Sequence, residues 1–403
     1  MGSVKGKRIV LGVTGSIACF KAAQLCSTLV QLGAEVDVVL TEAAQQFIAP
    51  LTFQSLTRRP VYSDLYDVLP DLSSAHVELG MRADALVVCP TSATTLARLA
   101  RGSAEDMLSC TALASTAPLV IAPAMNVNMW SHPATQANVA LLRERGAIQV
   151  GPVEGRLAEG ISGMGRLAPL EDVIAGIRVA LGRPGALAGR RVVVSAGGTQ
   201  EPIDPVRYVG NRSSGKMGYA IAEAARDRGA QVSLVSGPSA LAAPWGVEVR
   251  RVETAMQMRD ALVETVNGAD VLVMAAAVAD FRPDDPAEHK IKKTDADLSL
   301  RLVRNVDFSG DIARQGGPAL VKVYFAAETR DLVTYGEQKL RRLQADLLVA
   351  NDVTEPGSGF GTDTNRVILL GRDGSRQDLP LLTKDEVAEQ ILNRVERLLS
   401  GQS

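Results

Sequence analysis

The stretch SAGGTQEPIDPVRYVGNRSSGKMGYA, residues 195–220, places oxyanion-binding groups between a β-branched run, RRVVV, and a segment with helical spacing of apolar residues. Asn211, Ser213, Ser214 and Lys216 offer an amide, two hydroxyls and an ammonium, and Gly215 permits close approach of the backbone. Free N–H groups at a helix start carry partial positive charge, so such a loop suits a phosphorylated ligand. The GxxxxGK(S/T) spacing of a Walker A loop is absent. Asp280, in AAAVADFRP, is read as the end of a buried strand, where a carboxylate can hold a metal or a nucleotide; a strand-end aspartate is also a common turn residue. Seven residues beyond Pro283 begins Lys290-Ile291-Lys292-Lys293. Alone it reads as a solvated loop, and beside an anion-binding loop it is a candidate triphosphate clamp.

Two hydroxyl-rich turns follow strands in the first half of the chain, GVTGS at Gly12–Ser16 and PTSATT at Pro90–Thr95. The first lacks the full GxGxxG with a following ribose-binding acid, which gives a dinucleotide little support. Together the turns suit one phosphate and one ring, as in a mononucleotide such as FMN; their plain reading is two N-capped helices. PAMNVNMW places the Asn126 amide beyond a strand, in reach of a substrate carboxylate or carbonyl. His76 opens an apolar helical pattern, where a lone histidine is more often a cap or a satisfied partner than a catalyst.

These groups need elements to position them. KRIVLGV, the helix-like IACFKAAQLCSTLVQLG and EVDVVLT read as strand, helix, strand, and ALVVCP, TTLARLARG and PLVIAPA continue the alternation. Ligands of such sheets bind beyond the C-terminal strand ends, where TGS, CPTSATT and APAMN lie. LEDVIAGIRVAL closes this unit, and GRPGALAGR, rich in Gly, Pro and Ala, reads as a linker. RRVVVSAGG, AQVSLVSG, DVLVMAAA and DLLVAND repeat the pattern. The expected fold class is α/β, two Rossmann-like parallel-sheet domains at residues 1–182 and 189–403 joined by a linker at 183–188.

The 403 residues, 46% hydrophobic and 22% charged, match a globular rather than a disordered chain. A net charge of −2 lacks the basic excess that a nucleic-acid partner calls for. Cys19, Cys26, Cys89 and Cys110 show no CxxC spacing, which argues against zinc and for buried free thiols in a reducing compartment. No apolar run approaches the roughly 20 residues of a membrane span and no signal-type segment is present, so a cytoplasmic protein with no membrane partner is expected.

TGSIA, the Pro90–Thr95 turn, His76 and PAMNVNMW, in this order over nearly all of residues 7–180, resemble the homo-oligomeric flavin-containing cysteine decarboxylases. The resemblance implies a flavodoxin-like domain with FMN contacts from Gly15, Ser16, Thr91, Ser92, Thr94 and Thr95. It implies His76 as catalytic base or orienter, and Asn126 and Met125 at the substrate. In that family the flavin oxidises a cysteine thiol to a thioaldehyde, carbon dioxide leaves, and the reduced flavin returns hydride while an acid supplies a proton. Two departures stand out. The usual PATANT turn reads PTSATT, with Thr94 in place of asparagine, and the usual LACG flap reads LAEG, with Glu159 at the position of the proton-donating cysteine. Glu159 is either a replacement acid or an exposed flap carboxylate with no chemical part.

GGTxEPIDPVRxxxNRSSGKMG, KIKK, FAAET at Phe325–Thr329, VANDV at Val349–Val353 and GFGTDTN at Gly359–Asn365 closely match the phosphopantothenate–cysteine ligases over about residues 189–400. These ligases are fused to such decarboxylases in bifunctional enzymes of coenzyme A biosynthesis. The match implies that the 4′-phosphopantothenate carboxylate attacks the α-phosphate of CTP, giving an acyl-cytidylate that the cysteine amine then opens. Lys290 would stabilise charge at the α-phosphate, with Mg²⁺ near Asp280. Asn211 and Arg207 would hold the acyl intermediate and substrate, Ser213, Ser214 and Lys216 the phosphates, and Ala276 and Phe325 the nucleotide. One departure precedes FAAET, where KVY puts Lys322 in a strand usually more apolar, read as facing solvent. The family also implies flavin-domain trimers with the active site between subunits and ligase-domain dimers, a combination compatible with a dodecamer. The ligase product, 4′-phosphopantothenoylcysteine, is the decarboxylase substrate, converted to 4′-phosphopantetheine. Competing readings are an active ligase joined to a flavin domain of altered or lost decarboxylase activity, and a flavin-binding regulatory module.

Overall fold

The computed structural model describes residues 4–66, 74–183, 185–293, 298–328, 331–352, 355, 357–359 and 361–401. Pro184, Thr329, Val353 and Phe360, which belong to segments singled out above, lie outside the described residues. The chain divides into two compact units, Met1–Arg183 and Pro184–Ser403.

In the first unit, apolar runs bury on both faces and therefore pair in parallel under helices. Arg8–Val13, Glu35–Leu40, Val61–Tyr62, Ala85–Thr91, Leu119–Pro123 and Ile148–Gln149 form one six-stranded sheet, every pair parallel. Numbered along the chain, the strands lie in the order 3-2-1-4-5-6. Successive crossovers thus leave the first and fourth strands in opposite directions and open a crevice between them. The Cys19–Gln31 helix buries Ala22, Leu25, Cys26 and Leu29 against the sheet, the i, i+3, i+4, i+7 stripe of an amphipathic helix. Each such leucine contributes about 1.5–3 kcal/mol relative to exposure. All four cysteines are free and buried, and burial pushes the Cys26 and Cys89 thiols up to about 12.

The second unit repeats the plan. Arg191–Ala196, Gln231–Ser236, Glu248–Arg251, Val271–Met274, Val321–Glu328 and Leu347–Asp352 are parallel and again ordered 3-2-1-4-5-6, extended by antiparallel Val367–Gly371 and Arg376–Asp378. The Lys216–Asp227 helix lies close on the first strand because position 218 has no side chain; a Cβ there would sit 2.6 Å from that of Ala196. The Lys384–Leu399 helix is tied to the turn after the Lys216–Asp227 helix by Arg228, which pairs with Glu389 and Glu396 at 2.5 Å each. Among the described residues no helix is long and apolar enough to cross a membrane.

Two expectations change. Leu187, inside the span read as linker, is fully buried with Val192 and Ile221 in the core of the second unit, so that core begins before residue 189. The strand expected to end at Asp280 stops at Met274. Beyond it Ala277 N donates to Gly197 O at 2.8 Å and Ala279 N to Thr199 Oγ1 at 2.9 Å, so the glycine turn takes the chain off the sheet and Asp280 sits in a loop.

Candidate active sites

Both crevices carry the residues singled out from the sequence. In the first unit, Thr14 Oγ1 donates to Pro90 O at 2.7 Å and accepts from Ser92 N at 2.9 Å, lashing together the loops after the first and fourth strands. Gly15 lies so close to the next element that a Cβ would meet Ala43 Cβ at 2.6 Å. Above these loops opens a cavity of about 620 Å³ lined by Gly15, Ser16, Ser92, Met125, Asn126 and Glu159 among others. Ser16 Oγ accepts from Ala18 N at 3.2 Å, and Ser92 caps the Ala93–Arg101 helix by accepting from Thr95 N at 3.3 Å. The other threonines of the turn are placed differently. Thr91 is fully buried, its hydroxyl donating to Val88 O at 2.6 Å and accepting from Ala122 N at 3.1 Å. Thr95 is buried with its hydroxyl 3.1 Å from Ser92 Oγ, and Thr94 is exposed; none of the three lines the cavity.

The LAEG segment is the tip of a hairpin formed by Val153–Arg156 and Ser162–Arg166. Its second strand presses on the PAMN segment: Met125 N donates to Gly165 O at 3.0 Å, and a Cβ at Gly165 would stand 2.3 Å from Met125 O. That contact carries Glu159 over the cavity, where Asn126 Nδ2 donates to its Oε1 at 3.5 Å. Asn126 Oδ1 is occupied as the cap of the following helix, accepting from Asn128 N at 2.9 Å, which leaves the NH₂ group aimed at Glu159. His76 is half-buried on the Ala75–Arg82 helix and outside this lining. Ile17 and Phe20, 62% and 63% exposed, line the cavity and were not singled out, because they look like ordinary helix-entry residues in the sequence.

In the second unit Gly197 adopts φ +78° and Gly198 packs so tightly that a Cβ would lie 2.7 Å from Asn211 O. The Asn211 amide is thereby turned to donate to Ala277 O at 3.3 Å and Val278 O at 3.1 Å. Gly215, at φ +83°, starts the Lys216–Asp227 helix, and the cavity at that end, about 490 Å³, is lined by Asn211, Ser213, Ser214, Lys216, Ala276, Asp280 and Phe325. Among the described residues four cations line it, Arg212, Lys216, Lys339 and Lys384, against the single carboxylate of Asp280. Lys216 Nζ donates to Gly361 O at 3.1 Å and pairs with Asp363 at 2.6 Å, which holds the Asp363 carboxyl below its usual range. Lys384 is buried and donates to Gly359 O at 3.2 Å; burial, aided by the charge of Lys216, pushes its ammonium down.

Lys339 and Lys384 were missed by sequence reasoning. Each stands in an ordinary amphipathic helix more than a hundred residues from the glycine loop, with no local motif to mark it. Conversely, Lys290 and Arg207 do not line the cavity. Arg207 Nε donates to Asp204 Oδ2 at 2.9 Å and its Nη2 to Ile291 O at 2.9 Å, while Ile291 N donates to Asp204 at 3.1 Å. The Arg207 guanidinium holds the buried Asp204 carboxyl well below the usual range. The KIKK segment is therefore tethered to the 203–207 turn rather than converging on NRSSGK, and exposed Lys290 extends from this tether. Among the described residues no group of three or more His, Cys, Asp or Glu could hold a metal.

Comparison with known proteins agrees with both halves. Residues 2–182 match the family model described as flavoprotein, and residues 187–399 match the DNA/pantothenate metabolism flavoprotein C-terminal domain. The coenzyme A biosynthesis bifunctional protein CoaBC of Bacillus subtilis (strain 168) is 42% identical over 398 residues, 98% of this chain and 98% of that protein. The proteins of the same name from Vibrio cholerae and Mycobacterium tuberculosis (strain H37Rv) are 41% and 43% identical, each covering 98% of this chain and 99% and 97% of their own. The chain thus belongs to the CoaBC family of bifunctional coenzyme A biosynthesis proteins, a decarboxylase in its flavoprotein domain and a ligase in its C-terminal domain.

Proposed function

We propose that the C-terminal domain joins cysteine to 4′-phosphopantothenate at the expense of CTP, and that the N-terminal domain, holding FMN, decarboxylates the resulting 4′-phosphopantothenoylcysteine to 4′-phosphopantetheine. The observation that carries the ligase reading is the cavity with four cations and one carboxylate at the start of the Lys216–Asp227 helix. That charge balance, with the N-terminal backbone N–H groups, suits a triphosphate. Ser213, Ser214 and Lys216 would hold its phosphates, Ala276 and Phe325 its base and ribose, and Asn211 the acyl-cytidylate. A carboxylate is a poor electrophile, and transfer to the α-phosphorus provides the leaving group that the cysteine amine displaces. Mg²⁺ commonly binds one or two carboxylates and otherwise phosphate oxygens, so the lone Asp280 fits an ion that arrives with the nucleotide. Lys290, at the end of its tether, would swing toward the α-phosphate, and Arg207 would serve the site by anchoring Ile291.

For the decarboxylase, the 620 Å³ cavity lies in the size range of small-molecule sites, and Gly15 on its lining presents backbone without a side chain. Gly15, Ser16 and Ser92 would hold FMN there, and the bound flavin supplies the two-electron chemistry that lets the carboxylate leave. The NH₂ group of Asn126, which donates to Glu159 Oε1, would turn to orient that carboxylate, and Glu159 would deliver a proton from the flap. His76 stands outside the lining and Ile17 and Phe20 are exposed on it, which supports homo-oligomers in which a neighbouring copy covers the cavity and presents its own His76. Four buried free thiols suit a reducing, cytoplasmic compartment.

Anaerobic incubation of the protein with 4′-phosphopantothenate, cysteine, CTP and Mg²⁺, followed by mass analysis, tests the reading. CMP, pyrophosphate, carbon dioxide and 4′-phosphopantetheine are the expected products, and heat-released cofactor should run as FMN. Released FAD, or ligation equally fast with ATP, would overturn the corresponding part. Lys290→Gln should abolish pyrophosphate release and Asn211→Asp should impair use of the acyl-cytidylate; wild-type pyrophosphate release in Lys290→Gln removes that lysine from the mechanism.

A further inference from the structure

Of the four cations that line the nucleotide cavity among the described residues, Lys384 is the buried one, 7% exposed, whereas Arg212 is exposed and Lys216 and Lys339 are half-buried. It is the first residue of the Lys384–Leu399 helix, and that helix start is capped without it. Thr383 Oγ1 accepts from Glu386 N at 3.2 Å, and Glu386 Oε2 accepts from Thr383 N at 2.9 Å, which commits an acid of the first turn to the cap. Asp385, the other acid of that turn, is exposed.

Three conditions work against a cation at this position. The residue is buried, it stands at the positive end of a helix macrodipole, and Lys216 opens the helix packed alongside with a second positive charge. No carboxylate compensates. Among the described residues Lys384 Nζ makes no ion pair, and its hydrogen bonds go to two neutral carbonyls, Gly359 O at 3.2 Å and Thr362 O at 2.5 Å. Asp363, the acid beside them in the chain, is taken up by Lys216 at 2.6 Å. Burial, and then the charge of Lys216, hold the Lys384 ammonium below the usual lysine value. Holding Gly359 and Thr362 does not account for the charge, because an amide donates to two carbonyls with no ion to desolvate.

We infer that Lys384 is a phosphate-binding residue of the ligase, its third N–H donating to a triphosphate oxygen that supplies the counter-charge the fold leaves out. An ammonium carries three donors; two go to the carbonyls, and one remains for the cavity that the residue lines. The inference rests on the ligase reading above and deepens it. One cation then serves both the nucleotide and the Gly359 and Thr362 carbonyls, as Lys216 serves the nucleotide together with Gly361 O and Asp363 from the start of the other helix.

Calorimetry on the full-length protein, with Mg²⁺ and without 4′-phosphopantothenate so that nothing turns over, tests the assignment. The probes are CTP, inorganic tripolyphosphate and cytidine. Loss of a hydrogen bond between charged groups in Lys384→Met should raise the Kd for CTP and for tripolyphosphate about 10- to 100-fold and leave that for cytidine within about two-fold. Lys384→Gln, which keeps a donor for the two carbonyls and loses the charge, should show the same pattern, and it carries the test if Lys384→Met does not fold. Tripolyphosphate bound by the variants as tightly as by the wild type, or cytidine weakened as much as CTP, would overturn the assignment and leave Lys384 a holder of Gly359 and Thr362. Failure of the ligase reading shows separately, as wild-type protein that binds no CTP, and that result overturns both.

Discussion

Gly218→Ala should separate the two activities of this chain. An ideal Cβ at position 218 falls 2.6 Å from Ala196 Cβ, 2.9 Å from Ser195 O and 3.1 Å from Ala196 Cα. All three belong to the Arg191–Ala196 strand, paired on both sides within the sheet, and none is the end of a flexible side chain. Carbon atoms pack at about 3.5–4.0 Å, so the Lys216–Asp227 helix must retreat by about 1 Å at its first turn. Overpacking of this kind costs about 1–3 kcal/mol, visible as a lower urea midpoint without loss of the fold. The retreat carries Ser213, Ser214 and Lys216 with it, because they lead directly into the helix. Misplacement of binding groups by about 1 Å can cost on the order of 10²-fold, so ligase kcat/KM for CTP should fall by about that factor. Decarboxylation of supplied 4′-phosphopantothenoylcysteine, performed by the other compact unit, should stay near the wild-type rate. The assay measures both reactions on one preparation. Wild-type ligation with an unchanged urea midpoint would refute the close-packing argument.

Glu159→Gln replaces the flap carboxyl with an amide of the same shape; under the proposed proton delivery, anaerobic turnover should then stop short of 4′-phosphopantetheine and release the oxidised enethiol, and unchanged product would leave Glu159 without a chemical part. Burial holds Cys26 and Cys89 at about 12, so native protein at pH 8 should alkylate at these positions about 10³-fold more slowly than in urea, read by mass spectrometry. The folded values lie above the unfolded one, so these thiols' contribution to stability is complete below about pH 8.5 and declines as pH rises toward 12. Arg228→Met strips the Glu389 and Glu396 carboxylates of their shared cation in a largely buried setting and should cost about 3–5 kcal/mol in urea unfolding; a loss under about 1 kcal/mol would show the network to be dispensable.

The alternation of strands and helices was legible in the sequence because a parallel strand is buried on both faces and a covering helix on one stripe, so burial writes its period into the local residue order. RIVLGV, EVDVVL, RVVVSA and QVSLVS are strands as read, and the Cys19–Gln31 and Lys216–Asp227 helices follow their glycine-containing turns. Gly215 at the start of its helix was equally readable, since a left-handed backbone beside two serines leaves a mark in a few consecutive residues. The composition of the sites was decided elsewhere. Lys384 reaches the NRSSGK cavity because the helix it begins packs against the one that Lys216 begins, and Glu159 meets Asn126 because Gly163 and Gly165 admit the flap against residues 125–127. Lys290 stays with the 203–207 turn because buried Asp204 captures the backbone N–H of Ile291, and the strand before Asp280 ends early because Ala277 finds its backbone partners on Gly197 and Thr199. Local periodicity states which face of an element is buried; which strand ends adjoin, and so which side chains share a cavity, is set by crossover order and by contacts between residues far apart in the chain.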